Sequence, residues 1–357
     1  MAELDKLYRR SKTILDPGKE EGAIGVLELS TKAVKLLIGD APQIKTNGFD
    51  FRYFYRNAIK TETGLGLDES NEMDMDFFEN NVVPAIMDMV RTADGKRVAI
   101  LYTVATAVYR NAVNKEEMIK SIRRNCGINV KILNKEEEAL GTLTAFMFSR
   151  PHNVKLNNTS NVIMIDQGGG STEISIFTGE GVLNGTCSLE LGTTNLIKDL
   201  IKKASIEKGL KTALAESDVI VSELLKDFYI SPIAKAIVDA ESILCISVGS
   251  AITSATGKIG NPKQHGTVLT VSGLTAKIDD IEKKLDLHYG DSKALASDVE
   301  KHEDLRKIKN IDKLLVMRLG LPLFVEVMKK FSLDSLMVSG TGLWYGIYFE
   351  NLYKIEK

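Results

Sequence analysis

Residues 161–178 constrain this chain more than any other stretch: an apolar run ends on Asp166, a Gln167-Gly168-Gly169-Gly170-Ser171 turn follows, and a second run opens on Thr172 and Glu173. Short apolar runs flanking a glycine turn read as two antiparallel strands. A third run follows at 182–188, after Gly179-Glu180-Gly181. Such a piece is marginal alone and needs a larger sheet with packed helices around it. Three consecutive glycines open backbone conformations closed to other residues and let successive N–H groups converge as an anion-binding nest. Ser171 and Thr172 add hydroxyl donors. Asp166 and Glu173 bracket the nest, and carboxylates beside a bound phosphate are where Mg²⁺ (or Mn²⁺) is held.

The pattern recurs. Two apolar runs, 23–29 and 33–38, are joined by Ser30-Thr31-Lys32, and laying Glu28 on Asp166 puts Lys35 on Glu173, since seven positions separate each pair. A weak internal duplication follows. Helical periodicity appears at 77–91, 115–125, 136–148, 194–203, 216–229, 272–287 and 312–331, with short strand-like runs at 98–103, 130–133, 242–248 and 335–338. Strands alternating with helices predict an α/β chain. The polar run Asn157-Asn158-Thr159-Ser160 marks a boundary. The expected organisation is a charged lead-in over 1–21 with room for one helix, a first α/β domain over 22–152 and a second over 153–357, whose C-terminal helix could pack back on the first. The fold class is two similar actin/sugar-kinase/Hsp70-like (ribonuclease H-like) domains with a cleft between them, which by itself does not name a reaction.

Composition narrows the function. A chain of 357 residues, 44% hydrophobic, can bury a core divided into two domains. Lys+Arg 46 against Asp+Glu 48 gives no global basic field, so neither nucleic acid nor an anionic membrane is an expected partner. Three widely spaced cysteines fit a reduced compartment. The charged N-terminus and the lack of a long apolar window lead to the expectation of a cytoplasmic protein. A homodimer is compatible with all of this.

The run Asn134-Lys135-Glu136-Glu137-Glu138 lies between a strand and a helix. Asn134 with Glu137 three residues on makes a capping box, and Glu136 in the first turn gains from the helix dipole. Glu138 has no such structural reason, and it projects about 100° around the helix from Glu137. It is the candidate to orient an attacking water. Other features read as ordinary: His152, His265, His288 and His302 lack metal-ligand spacing. Residues 68–81 lack the glycine of a calcium loop. The basic clusters at 198–211 and 301–313 read as solvated helix faces. Trp344 and Tyr345 read as aromatic packing of a C-terminal helix.

Asp166–Glu173 resembles the strand-Asp-x-Gly-Gly-Gly-Ser-Thr-Glu-strand pattern of the exopolyphosphatase and guanosine pentaphosphate phosphohydrolase (Ppx/GppA) family. Ala105-Thr106-Ala107-Val108-Tyr109-Arg110-Asn111-Ala112 is similar to that family's Ala-Thr-x-Ala-x-Arg-x-Ala segment, which implies phosphate contact by Arg110 and Thr106. Glu138 falls where the family keeps its catalytic glutamate. Leu191-Gly192, Ser247-Val248-Gly249, His265-Gly266 and Val338-Ser339-Gly340-Thr341-Gly342-Leu343 fall in the family's order, so the resemblance covers residues 22–350. It implies a short two-domain member without a C-terminal helical extension.

The chain also departs from the pattern. The family's Asp-x-Gly-Ser-Asn-Ser reads Glu28-Leu29-Ser30-Thr31-Lys32-Ala33, its Gly-Gly-Thr reads Gly249-Ser250-Ala251, and its Leu-Arg-Glu-Gly reads Leu343-Trp344-Tyr345-Gly346. The expected site therefore has Glu138 as catalytic residue. Gly168, Gly169, Gly170, Ser171, Thr172, Arg110, Ser30, Thr31, Lys32 and Thr106 hold phosphate, and Asp166, Glu173 and Glu28 face the metal. The implied activity is hydrolysis of the terminal phosphoanhydride of polyphosphate or guanosine pentaphosphate. Two other readings stay open: a non-hydrolytic sensor of guanosine polyphosphates, ATP or polyphosphate, and an actin-like ATPase or kinase.

Overall fold

The computed structural model describes residues 9–15, 23–39, 53–151, 154, 160–204, 210–238, 242–256, 265–289 and 311–355. His152, His302, the 16–19 turn, most of the 157–160 boundary run and much of both basic clusters lie outside them. The chain forms two compact units, Met1–Arg150 with Thr341–Lys357, and Pro151–Gly340. Of the second expected domain, 153–357, the segment 341–357 thus goes with the first unit.

In the first unit the strands are β1 (Lys12–Ile14), β2 (Ala23–Leu29), β3 (Ala33–Gly39), β4 (Tyr53–Lys60), β5 (Val98–Ala105) and β6 (Lys131–Ile132). Their order is β1-β5-β2-β3-β4, with β6 beside β5. The β2–β3 hairpin is antiparallel with Glu28 opposite Lys35, while β2 and β5 run parallel. Alternation along the strands divides the core. Leu27, Leu29, Val34 and Leu36 pack with Phe78, Ile86 and Met89. On the other face Ile24, Val26 and Leu37 pack with Leu343, Ile347 and Tyr348 of the C-terminal helix Leu343–Ile355.

Three expectations change here. The lead-in contains no described helix: Arg9–Ser11 is a single tight turn, and Lys12–Ile14 adds an edge strand antiparallel to β5. The periodic stretch at 77–91 is broken into Met75–Phe77, a wider π turn at Phe78–Val82, and the helix Val83–Gly95, with Asp74 accepting from Phe77 N–H. β4 was not anticipated.

The helix Lys135–Ser149 lies so close to the C-terminal helix that a Cβ on Gly346 would stand 1.8 Å from the Gly141 carbonyl oxygen. Backbone cannot yield as a flexible side chain does, so Gly346→Ala must separate the two helices. We expect it to destabilise the protein by roughly 1–3 kcal/mol, read as a fall in thermal midpoint. An unchanged midpoint would show that the two helices are not in close contact.

The second unit has β7 (Ser160–Gln167), β8 (Thr172–Thr178), β9 (Leu183–Leu189), β10 (Ser242–Gly249), β11 (Val268–Thr270) and β12 (Ser335–Val338), in the order β11-β12-β10-β7-β8-β9. Asp166 stands opposite Glu173 in the β7–β8 hairpin, matching Glu28 and Lys35 in β2–β3. The duplication read from spacing is therefore a duplication of register. β10 runs parallel to both β7 and β12, and these two mixed α/β units have the actin/sugar-kinase/Hsp70 type of fold. A single large core joins the sheet to the helices Thr193–Ala204, Leu210–Tyr229 and Ile311–Lys330. Arg318, 3% exposed, donates to both Asp218 carboxylate oxygens at 2.8 and 2.7 Å and to Glu282 at 2.7 Å. Burial opposes its charge, but these two acids more than offset that and hold its pKa above the ordinary value.

Candidate functional site

The first unit gathers its candidate residues at the carboxyl ends of parallel strands, where ligands bind in α/β sheets. Leu29 ends β2 beside Ala105 of β5, and Ala105 pairs with Ile132 of β6. Thr106 N–H donates to Leu29 O at 3.1 Å and Leu133 N–H to Ala105 O at 2.9 Å, tying the three ends together. The short helix Ala107–Asn111 then carries Arg110 back over them. Its Nη1 donates to Leu133 O at 2.9 Å and to Glu138 Oε2 at 2.8 Å.

The acidic run divides as its spacing predicts. Asn134 accepts from Glu137 N–H at 2.8 Å and Glu137 accepts from Asn134 N–H at 2.9 Å, completing the capping box. Glu137 also pairs with Lys131 at 2.6 Å, and Glu136 is exposed. Only Glu138 turns to Arg110, and both side chains of that pair are mostly buried, 14% and 16% exposed. In so shielded a place the Coulomb attraction between the two charges is larger than at the surface, and the hydrogen bond fixes the carboxylate's direction.

The turn Ser30-Thr31-Lys32 differs from its expected role. Ser30 Oγ donates to Ala33 O at 2.9 Å and accepts from Ala33 N–H at 3.3 Å, so this hydroxyl closes the turn instead of being offered to a ligand. Lys32 O accepts backbone bonds from Thr61 and Glu62. Among the described residues, Thr31 N–H and Oγ1 and Thr106 Oγ1 engage in no hydrogen bond, and they are the open donors on this side. Glu28, 4% exposed, has Lys35 as partner at 2.5 Å, and that ammonium sits 5.9 Å from the Trp344 ring centroid. Where the second unit pairs acid with acid, the first pairs acid with cation. Glu28 thus has its charge met by a neighbouring side chain.

In the second unit the glycine turn is built from close backbone approach. The left-handed glycines among the described residues are Gly127, Gly181, Gly249 and Gly266, none of them in the turn, so the expectation of special glycine conformations there is corrected. Its carbonyls are taken up instead: Thr193 N–H reaches Gly168 O at 3.0 Å, Thr194 N–H reaches Gly169 O at 2.8 Å, and Asn195 Nδ2 reaches Gly170 O at 2.8 Å. The N–H groups of Gly169, Gly170 and Ser171 donate to nothing among the described residues. With the carbonyls held on one side, these three amides are left unspent. The hydroxyls are committed elsewhere: Thr172 Oγ1 donates to Leu191 O at 2.8 Å, and Ser171 Oγ donates to Glu173 Oε1 at 2.8 Å. The expectation that they add donors to the nest gives way to amides alone.

Glu173, 4% exposed, also accepts from Ser188 Oγ at 3.0 Å, so its carboxylate is fixed in place beside the half-buried Asp166. Among the described residues no group of three or more His, Cys, Asp or Glu is placed to hold a metal. Mg²⁺ is commonly held by one or two carboxylates with substrate phosphate oxygens and water completing its shell, without a closed protein cage. Asp166 and Glu173 fit that mode.

Other chemistries find less support. Burial pushes the Cys245 thiol up to about 12 and the Cys126 thiol up to about 11, so neither is a thiolate nucleophile near neutral pH. His265 Nδ1 accepts from Gly340 N–H at 3.1 Å, a structural bond. Trp344 lies edge-on to Tyr345 at 5.5 Å, and Tyr345 Oη accepts from Arg56 at 3.0 Å. Among the described residues no helix is long and apolar enough to cross a membrane.

One segment escaped the sequence reading. Thr61, Glu62 and Thr63 are all buried polar residues, and their loop supplies the bonds that hold the first hairpin turn. The sequence signal was Thr61-Glu62-Thr63-Gly64-Leu65-Gly66, two glycines and three polar residues in six positions.

The model of the Ppx/GppA phosphatase family matches residues 45–355. The chain belongs to that family. No match is found among curated proteins. Among solved structures, an Aquifex aeolicus Ppx/GppA family member is 20% identical with a TM-score of 0.66, covering 94% of this chain and 99% of its own. An exopolyphosphatase from Cytophaga hutchinsonii is 18% identical with a TM-score of 0.69, covering 93% and 98%. An exopolyphosphatase-like protein, also 18% identical with a TM-score of 0.69, covers 95% and 100%. At these identities the likeness is one of fold.

Proposed function

We propose that this phosphatase-family protein hydrolyses the terminal phosphoanhydride of inorganic polyphosphate or guanosine pentaphosphate in a Mg²⁺-dependent reaction. The observation that carries the reading is the shielded Arg110–Glu138 pair at the strand ends, 2.8 Å apart. Phosphoryl transfer asks little covalent help from protein and much positioning and charge neutralisation. Arg110 supplies a planar donor for phosphate oxygens. Glu138, aimed by that same guanidinium, orients water and takes up its proton. Each unit offers phosphate donors of its own: Thr31 and Thr106 in the first, and the amides of Gly169, Gly170 and Ser171 in the second. Asp166 and Glu173 would hold the metal, which when bound neutralises phosphate charge.

A panel of polyphosphate, guanosine pentaphosphate and ATP, each with and without Mg²⁺, tests this by release of inorganic phosphate. Metal-dependent release from either of the first two is expected. Release from none, despite measurable binding, would instead favour a non-hydrolytic sensor of the same ligands. The Glu28–Lys35 pair and the spent Ser30 hydroxyl are the observations on that side.

A further inference from the structure

The first hairpin turn is closed by the Ser30 hydroxyl, yet it still leaves the Thr31 amide and hydroxyl open. The cause lies in the loop after β4. Thr61 N–H and Glu62 N–H both donate to Lys32 O at 3.0 Å, and Gly64 N–H donates to Thr31 O at 3.0 Å. Between those bonds Glu62 adopts the left-handed conformation, φ 47 and ψ 43. This region is disfavoured for residues other than glycine, and strain of this kind persists only when its surroundings hold it. The surroundings here do so. Glu62 is 6% exposed and pairs with Lys60 at 3.0 Å, Lys60 stands opposite Ala33 in the β3–β4 ladder, and Thr61 Oγ1 and Thr63 Oγ1 share a hydrogen bond at 2.9 Å.

We infer that Glu62 is a positioning residue. Its left-handed backbone returns the chain so that Gly64 N–H meets Thr31 O after the two preceding amides have met Lys32 O. With both turn carbonyls fixed in this way, the Thr31 N–H and hydroxyl are oriented as donors for a terminal phosphate group. Glu62 touches no substrate; it acts through Thr31. The inference rests on the phosphoanhydride reading above.

The test compares Glu62→Val with Glu62→Gly. Valine is β-branched and resists left-handed backbone, whereas glycine adopts it freely. Binding of inorganic tripolyphosphate is measured by calorimetry, alongside the thermal midpoint and, where turnover occurs, KM and kcat. Glu62→Val is expected to weaken binding and raise KM by roughly tenfold with kcat less affected, while Glu62→Gly restores binding to near the wild-type level. Should Glu62→Val fail to fold, Glu62→Ala takes its place. Equal binding by all variants overturns the inference. Equal weakening by Val and Gly overturns it too, since the carboxylate and not the backbone would then matter. If the wild type does not bind tripolyphosphate, the phosphoanhydride reading fails and takes this inference with it. Normal wild-type binding with an unaffected Val variant sinks the inference alone.

Discussion

Glu138→Gln is expected to lower kcat for phosphate release by about 10²–10⁴-fold, the usual contribution of a positioned general base. The substitution keeps the side chain's size and the Glu138 N–H bond to Asn134 O at 3.1 Å, so the helix start should survive. What changes is charge. Arg110 Nη1 now donates to a carboxylate at 2.8 Å, and a neutral amide leaves the guanidinium uncompensated in a shielded place. The positive potential at the strand ends then rises, so a polyanionic substrate should bind as tightly or more tightly while turnover collapses. A fall in kcat with a constant or lower KM is the signature, and circular dichroism should match the wild type. Equal rates from both proteins would remove Glu138 from the reaction.

The division of the acidic run could be reached from sequence because capping is local. Asn134 and Glu137 declare their partners by being three residues apart, and the remaining acid is set apart by elimination within one helical turn. The hairpin registers were legible for the same reason: seven positions from Glu28 to Lys35 and from Asp166 to Glu173 leave one antiparallel pairing across a short turn. The hydroxyls of Thr172 and Ser30 were misjudged because their partners are set by folded geometry. Leu191 O is a strand away from Thr172, and no motif announces it. Part of that error was avoidable, since Thr172 and Glu173 are neighbours in one strand and must point to opposite faces. Strand β4 was hidden by its polarity: Arg56 and Lys60 interrupt the apolar pattern, and they find partners in Tyr345 and Glu62. The strain at Glu62 has no sequence signal, because left-handed backbone at a non-glycine residue is imposed by its surroundings.

Gly192→Ala is expected to disable the phosphate nest. A Cβ at this position would lie 2.1 Å from Gly169 O and 2.3 Å from the carbonyl carbons of both Gly169 and Gly170. Every one of these atoms is backbone, and the segment they belong to is the nest itself. Relief requires the turn and the start of the helix Thr193–Ala204 to part, which would break the bonds from Thr193 and Thr194 N–H and from Asn195 Nδ2. Those bonds hold the carbonyls away so that the Gly169, Gly170 and Ser171 amides stay open. We therefore expect a destabilisation of about 3 kcal/mol, the upper part of the usual overpacking range, together with loss of tripolyphosphate binding in whatever fraction remains folded. Gly185→Ala is the matched control. Its nearest contact would be Ile233 Cγ1 at 3.0 Å, a side-chain atom that can shift, so its cost should be far smaller and its binding intact. If Gly192→Ala and Gly185→Ala behave alike in both midpoint and binding, the nest does not depend on the close approach of these two backbones.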